Sequence, residues 1–343
     1  MAGEEARRQK RTTIEDVAQH ARVSRAAVSK VLRNAYGVSE EMRERVTSSI
    51  EALQYRPRIS ARGMRGRTFT IGVVVNDITN NFIAEVLNGT SSAIAGTPFQ
   101  RIIAIADARA ASYPAIESLY DRQVDGIIAI SPLAEAEWLD DMGRKVPLVQ
   151  IGVHQTSDSY DTIVGNDVQG VALMMNHLMG LGHRRIAHVT HSDPLWISLS
   201  NRPHIIRQNE YTRIMREAGL ASEISVITAR FEEGVSYTES RRAFEDGLRP
   251  TAVFAGNDDA AFGTMRAAAE FPELEQMSIS GYDDSHISAN PRLGLTTINQ
   301  NGPEMGRRAI ELLLERVEGR QESRYIQVET RLVVRTSTFP PPR

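Results

Sequence analysis

The chain has 343 residues, 41% of them hydrophobic, and no cysteine; this suits a globular protein of about two domains with an appendage and excludes disulfides, thiolate metal sites and thiol nucleophiles. The formal charge of -3 conceals an asymmetry, because residues 1–67 carry 15 Lys and Arg against 8 Asp and Glu, a net +7 that leaves -10 on the rest. A small basic head on an acidic body is the charge footprint of a polyanion-binding module, with a solvated basic tail as the plain alternative.

The opening MAGEEARRQKR is too polar to lead a secretory signal, and no apolar run approaches the roughly 18 residues that span a bilayer. A cytoplasmic protein with no membrane partner is expected. The first predicted helix covers residues 14–21, opened by Thr13 with Asp16 in a capping-box pattern and carrying Ile14, Val17, Ala18 and Ala21 at helical spacing. Ser24 is the next N-cap, and a second helix from Arg25 to about Arg33 divides its faces. Ala27, Val28, Val31 and Leu32 make its apolar stripe, while Arg25, Ala26, Ser29, Lys30 and Arg33 lie opposite. Ser39 opens a third helix with Met42, Val46, Ile50 and Leu53 on one side.

Two helices joined only by Arg22 and Val23 cross steeply and leave the start of the second one protruding. That is the helix-turn-helix arrangement, in which the second helix enters the major groove. An arginine there suits the O6 and N7 of guanine, and the small Ala26 and Ser29 between the cations let the backbone approach closely. A merely solvated basic helix does not by itself call for those small residues.

The stretches TIEDVAQHARVSRAAVSKVLRN and VSEEMRERVTSSIEALQYRP resemble the DNA-binding domain of the LacI/GalR family of bacterial transcriptional repressors. Arg22 stands at the family's turn glycine, Ala27 at its threonine, Lys30 at its arginine and Arg58 at its asparagine. The resemblance implies that Arg25 and Ala26 are the specificity pair and Lys30 a further base or phosphate contact. It also implies DNA contacts from Thr13, Ser24, Ser29, Arg33, Tyr55, Arg58 and Ala61. Pro57 ends the third helix, and residues 58–67 form a basic linker. The family's counterpart is a hinge helix that orders on operator DNA. Met64 falls at its minor-groove wedge, while Gly63 weakens helix formation by about 1 kcal/mol relative to alanine.

From Phe69, strand-like runs such as FTIGVVVN, RIIAIAD and VDGIIAIS alternate with helical stretches, and a second such series begins near Thr162. This pattern predicts two lobes, each a parallel sheet covered by helices. Ligands in such folds lie beyond the carboxyl ends of strands, which selects Asn76, Asp77, Asn80, Asp107, Asn257, Asp258, Asp283 and Asp284. Their amides and carboxylates pair well with hydroxyl groups, and Phe82 and Trp196 offer stacking faces. Many of the same residues also serve as caps and turns.

NNFIAEVLNG, QVDGIIAISP, VGNDVQG, HLMGLGHRRIA, AGNDDAAFGTMRA and SGYDDSHIS extend the family resemblance over nearly the whole chain. The fold it implies is a small all-α helix-turn-helix head on an α/β periplasmic-binding-protein type I body of two lobes. The expected boundaries are a head over 1–57, a linker over 58–67 and a body over 68–343, with lobe 1 at 68–161 plus 296–320 and lobe 2 at 162–295 plus 321–343. Phe82, Ile83, Arg207, Asn257 and Asp283 then fall at effector-contact positions, joined by Asn80, Asp107 and Trp196. The family's glycine after the arginine is Glu210 here, in a long segment that predicts an altered pocket or lid.

No heptad follows Arg335, so a homodimer is expected, two readers engaging two half-sites of double-stranded operator DNA. No nucleotide-binding, zinc-protease or serine-hydrolase signature is present in the sequence, and His183, His188 and His191 lack the i, i+4 spacing of a helical metal site. The expectation is a non-enzymatic, allosteric DNA-binding repressor without a cofactor. A small polar effector, foremost a sugar or sugar derivative, controls it. A nucleobase-responsive corepressed regulator is the alternative, and a soluble sugar-binding receptor is the rival from another class.

Overall fold

In the computed structural model, which describes residues 12–32, 35–55, 67–107, 111–191 and 201–342, the head contains helices α1 (Ile14–His20), α2 (Arg25–Leu32) and α3 (Glu40–Ala52). Thr13 and Asp16 form the reciprocal capping box of α1. Ser24 Oγ accepts from the Ala27 amide at 3.1 Å and Ser39 Oγ from the Met42 amide at 3.3 Å. Val17, Ala18, Ala21, Val28, Val31 and Val46 bury themselves together. Leu32, expected in that stripe, is exposed instead, because it sits at the last position of α2 where the helix leaves the core.

The turn from α1 to α2 is held by amide bonds from Arg22 to Gln19 O (3.2 Å) and from Val23 to Ala18 O (3.0 Å). It places Arg22 at φ 53°, in the left-handed region, where a side chain costs roughly 1–2 kcal/mol.

The chain divides into two compact units between Thr68 and Phe69. In the body, the first six strands among the described residues are β1 (Thr70–Val75), β2 (Gln100–Ile105), β3 (Gly126–Ile130), β4 (Leu148–Ile151), β5 (Asp161–Gly165) and β6 (Ile186–Thr190). They are followed by β7 (Ser225–Thr228), β8 (Ala252–Ala255), β9 (Ser278–Ser280), β10 (Thr297–Asn299), β11 (Tyr325–Val328) and β12 (Arg331–Val333). The helices are α4 (Asn81–Ile94), α5 (Tyr113–Asp121), α6 (Ala136–Gly143), α7 (Asp167–Gly180), α8 (Pro203–Glu217), α9 (Glu233–Glu245), α10 (Asp258–Ala268) and α11 (Gly302–Val317).

The first lobe is a parallel sheet in the order β11-β5-β4-β3-β1-β2. Runs such as GIIAI are buried at every position because helices cover both faces. α4 and α11 lie on one face and α5 and α6 on the other. α4 and α11 meet at backbone distance: a Cβ on Gly89 would lie 2.0 Å from Pro303 O, and one on Gly306 2.0 Å from Val86 O. The second lobe is a parallel sheet, β7-β6-β8-β9, with α7 and α8 on one face and α9 and α10 on the other.

The chain therefore crosses between lobes three times, and the expected crossing points need correction. β5 and β11 belong to the first sheet, whereas β10 pairs antiparallel with β12 and packs with the second lobe. The first lobe thus holds strands through residue 165 and again over 325–328, rather than ending at 161 and 320. The physical reason is that DTIVG and YIQV complete the sheet before the chain leaves it, and an apolar strand pattern carries no label for its sheet. The return segment is pinned by Asp161, fully buried, which accepts from Arg316 Nε (2.9 Å), Arg320 Nη2 (2.6 Å) and the Arg324 amide (2.7 Å). Among the described residues no helix is long and apolar enough to cross a membrane.

Candidate functional site

The head presents the start of α2. Arg25, Ala26 and Lys30 are exposed and Ser29 is half-buried. α1 and α3 carry acidic residues in their first turns, where the helix dipole favours them, but α2 has none there and begins on Arg25. An acid-free, cationic helix start suits a phosphate-rich partner. Tyr55 is buried in the head core, so its ring serves packing. Arg33, Arg58, Ala61 and Met64 lie outside the described residues.

In the body, a cleft of about 200 Å³ opens between the carboxyl ends of the two sheets. Asn80, the N-cap of α4, brings Phe82 and Ile83 to it from the first lobe. From the second lobe come Arg207 on α8, Asn257 as the N-cap of α10, and Asp283 after β9. The Asn257 oxygen accepts from the Ala260 amide at 2.8 Å, while its buried Nδ2 has no hydrogen-bond partner. Asp107 is exposed and does not line the cleft, a departure from expectation that follows from its place just beyond the edge strand β2. Trp196 lies outside the described residues.

Several lining groups were not selected from the sequence. Asp167, His191, His204, Phe231, Ser131 and Gln300 all face the cleft. Phe231 follows β7 and so obeys the strand-end rule that selected the amides, but a search for hydroxyl-binding groups passes over a phenyl ring. Asp167 is signalled only by VGNDVQG, where Asn166 is the cap. His191 lies 5.2 Å from both His204 and Phe231, ring centre to ring centre. Burial, with His191 and the nearby arginines adding to it, pushes His204 down to about 3, so it is neutral near pH 7.

The electrostatics are dominated by carboxyl groups. Burial pushes Asp167 up, but Arg207 and His154 more than offset this and hold it below the usual carboxylate range. Asp283, at φ 125° and bonded to Gln300, is pushed well above that range by burial, against the pull of Arg207. Asp259 rises to about 6 through burial, reinforced by Asp258, by Asp77 of the other lobe, and by Glu233. Asp258 is a structural clasp: its carboxylate accepts from Ser288 Oγ (2.6 Å), Thr297 Oγ1 (2.6 Å) and the Ser285 amide (2.7 Å). Glu210, at the family's glycine position, turns to Arg213, with Oε2 accepting from Nε at 2.8 Å. Strained backbone gathers here too, since Ser131 at φ 47° and Asp283 both line the cleft.

A helix-turn-helix reader attached to a two-lobed body with a cleft between parallel sheets defines a class, the DNA-binding regulator built on a periplasmic-binding-protein body. Comparison with known proteins gives the family. Residues 13–58 match bacterial regulatory proteins of the lacI family, and residues 175–338 match the periplasmic binding protein-like domain. The chain is 30% identical over 312 residues to the ribose operon repressor of Escherichia coli K12, covering 89% of this chain and 93% of that protein. It is 31% identical over 336 residues to the HTH-type transcriptional repressor PurR of Vibrio atlanticus, covering 95% and 98%. The crystal structure of the lac repressor dimer bound to operator and the anti-inducer ONPF shares the fold, with a TM-score of 0.80 at 24% identity over 96% of this chain and 100% of that one. The chain belongs to the lacI family of bacterial regulatory proteins and is a DNA-binding transcriptional repressor.

Proposed function

We propose that this cytoplasmic repressor binds a pseudo-palindromic operator as a homodimer, under control of a small neutral polyhydroxylated ligand held in the cleft. A sugar or sugar derivative is the ligand class. The observation that carries this reading is Asn257, a residue of the cleft lining whose buried Nδ2 has no partner and is a donor in want of a hydroxyl or carbonyl oxygen. Asn80, Asp283 and Arg207 surround the same space, and Phe82 supplies an apolar face for a sugar ring.

In the head, Arg25 reads guanine, Ala26 offers at most a methyl contact, and Lys30, Ser29, Ser24 and Thr13 serve bases or phosphates. Arg33, Arg58, Ala61 and the Met64 wedge extend the DNA contact. Ligand binding shifts the balance between lobe arrangements, and the operator-bound form is favoured or disfavoured by the difference in ligand affinity between them. Gel-shift titration of the full chain against genomic fragments should find a pseudo-palindrome bound roughly 10³-fold or more above random DNA. A thermal-shift screen of sugars against purines and nucleosides, with and without that fragment, then identifies the ligand class; a hit confined to nucleobases sinks the sugar reading.

A second reading has its own observation. Phe82 and Phe231 line the cleft from opposite lobes, and a planar nucleobase between them is the alternative that the screen distinguishes.

A further inference from the structure

Arg207 is a buried cation of the cleft, and three of its five N–H groups are already committed inside the protein. Its Nε donates to Asp167 Oδ1 at 2.7 Å, Nη1 to Gly256 O at 2.6 Å and Nη2 to Gln300 Oε1 at 3.2 Å. The guanidinium plane rests over Tyr282, with Cζ 3.6 Å from the ring centroid. A phosphate or carboxylate bound by arginine normally takes two parallel N–H groups from such a fork. Here each nitrogen already has one acceptor, and the N–H left over on each Nη belongs to a guanidinium whose charge the buried Asp167 carboxylate already balances.

Asp167 is itself immobilised. Its side chain is 1% exposed, and its second oxygen, Oδ2, meets His154 Nε2 at 2.7 Å. The Tyr325 hydroxyl lies 3.2 Å from the other ring nitrogen of His154. The carboxylate is thus gripped from α8 on one side and from the β4–β5 connection on the other, and it cannot turn aside to free Arg207 for an incoming anion. The second cation at the cleft, Arg230, lies 3.6 Å from Glu232. Asp77 adds a carboxyl group, and among the described residues no Lys or Arg besides Arg207 and Arg230 lines the cleft to balance it. An anion entering this space meets matched cations and surplus acid.

We propose that Asp167 determines specificity by keeping Arg207 in a closed ion pair, so that the cleft rejects phosphorylated and carboxylate ligands and accepts uncharged ones. The inference rests on reading the cleft as the ligand site. It makes Asp167 a positioning residue for Arg207 and a charge barrier at once.

The test uses the full chain and calorimetric titration at matched ionic strength, with inorganic phosphate and glucose 6-phosphate as anionic probes and glucose as the neutral control. Wild type should show no saturable anion binding. Asp167→Asn keeps the shape but removes the charge, and should bind phosphate saturably, roughly 10- to 100-fold tighter than the limit that the wild-type titration sets. Adding Arg207→Gln to it should erase that gain. If Asp167→Asn does not fold, Asp167→Ser removes the same charge. Phosphate binding by wild type that Arg207→Gln abolishes would overturn the inference without any Asp167 variant, and so would the absence of a gain in a folded one. If no sugar binds but the variant gains phosphate, the sugar reading fails and this one stands; glucose binding without a phosphate gain upholds the sugar reading and overturns this one.

Discussion

The reader in the head and the cleft in the body solve recognition in opposite ways. The reader is one contiguous stretch: Ser24 to Lys30 sit on one short helix, mostly exposed, with no buried charge of their own. The cleft collects single residues from the ends of strands in both lobes, with Asp167 and Arg207 buried and Asp283 half-buried among them. The contrast separates two kinds of fragility. A change in the reader alters what is bound and leaves the fold standing, whereas a change in the cleft puts stability and binding at risk together.

The sharpest test of that difference is Asp167→Ala, which strands the Arg207 guanidinium in the interior. Breaking a buried pair from one side costs about 3–5 kcal/mol. Urea denaturation should show this loss, and operator preference in the surviving folded fraction should be unchanged. A variant as stable as wild type would dissolve the contrast.

Next in size is Arg25→Ala, which should cost about 1–3 kcal/mol of operator binding and relax base preference at one position in each half-site. Arg58→Ala should weaken all sequences alike and reduce the salt slope by about one. Gel shifts at several salt concentrations distinguish the two, and identical behaviour contradicts the assignment.

Asn257 probes the cleft at finer scale. Asn257→Ala removes both the cap oxygen and the free donor, with a stability cost of about 1 kcal/mol. Asn257→Ser keeps a capping oxygen but loses the Nδ2 donor without burying a charge, so ligand affinity should fall while the denaturation midpoint stays near wild type.

In the head, Arg22→Gly relieves the left-handed backbone and should stabilise by about 1 kcal/mol, while DNA affinity falls if the Arg22 cation meets a phosphate. A gain in both measurements leaves Arg22 without a DNA role.

The smallest effect is a pH dependence at Asp259. Its folded value of about 6 lies above the roughly 3.9 of an unfolded aspartate, so the native state retains a proton that the unfolded chain releases. Stability contributed by this group is present at low pH, falls as pH rises from about 4 to about 6, and is flat beyond. Denaturation midpoints across that interval should show the slope, and Asp259→Asn should flatten it.

The same contrast explains what the sequence disclosed. The reader was legible nearly residue by residue because capping, turn length and helical period all act within a few positions; Thr13, Ser24 and Ser39 cap as their spacing predicts. The positive φ at Arg22 was foreseeable from the tightness of the turn. The two lobes were legible from alternating strands and helices, and so were Asn80, Arg207, Asn257 and Asp283 as residues at strand ends or motif positions. The crossing points were not, because the strand pattern of DTIVG does not say which sheet it joins. Asp167 and Gln300 escaped notice because their significance lies in contact with Arg207, 40 and 93 residues away in the chain. The burial of Tyr55 came from three-dimensional packing that helical period alone does not assign.

The return of the chain to the first lobe also sets an order of assembly. When the ribosome has delivered residues through β5, the first sheet still lacks its edge strand β11 and the α11 helix that covers Ile71, Val73 and Ile128. Asp161 likewise waits, buried only later, for Arg316, Arg320 and Arg324. The nascent first lobe therefore leaves the exit tunnel with one face covered by α4 alone, while the second lobe's sheet is fully supplied by residue 280. During synthesis the upstream lobe is the one that carries apolar sheet without its full cover, and exposed apolar sheet of this kind is the surface on which incomplete chains aggregate.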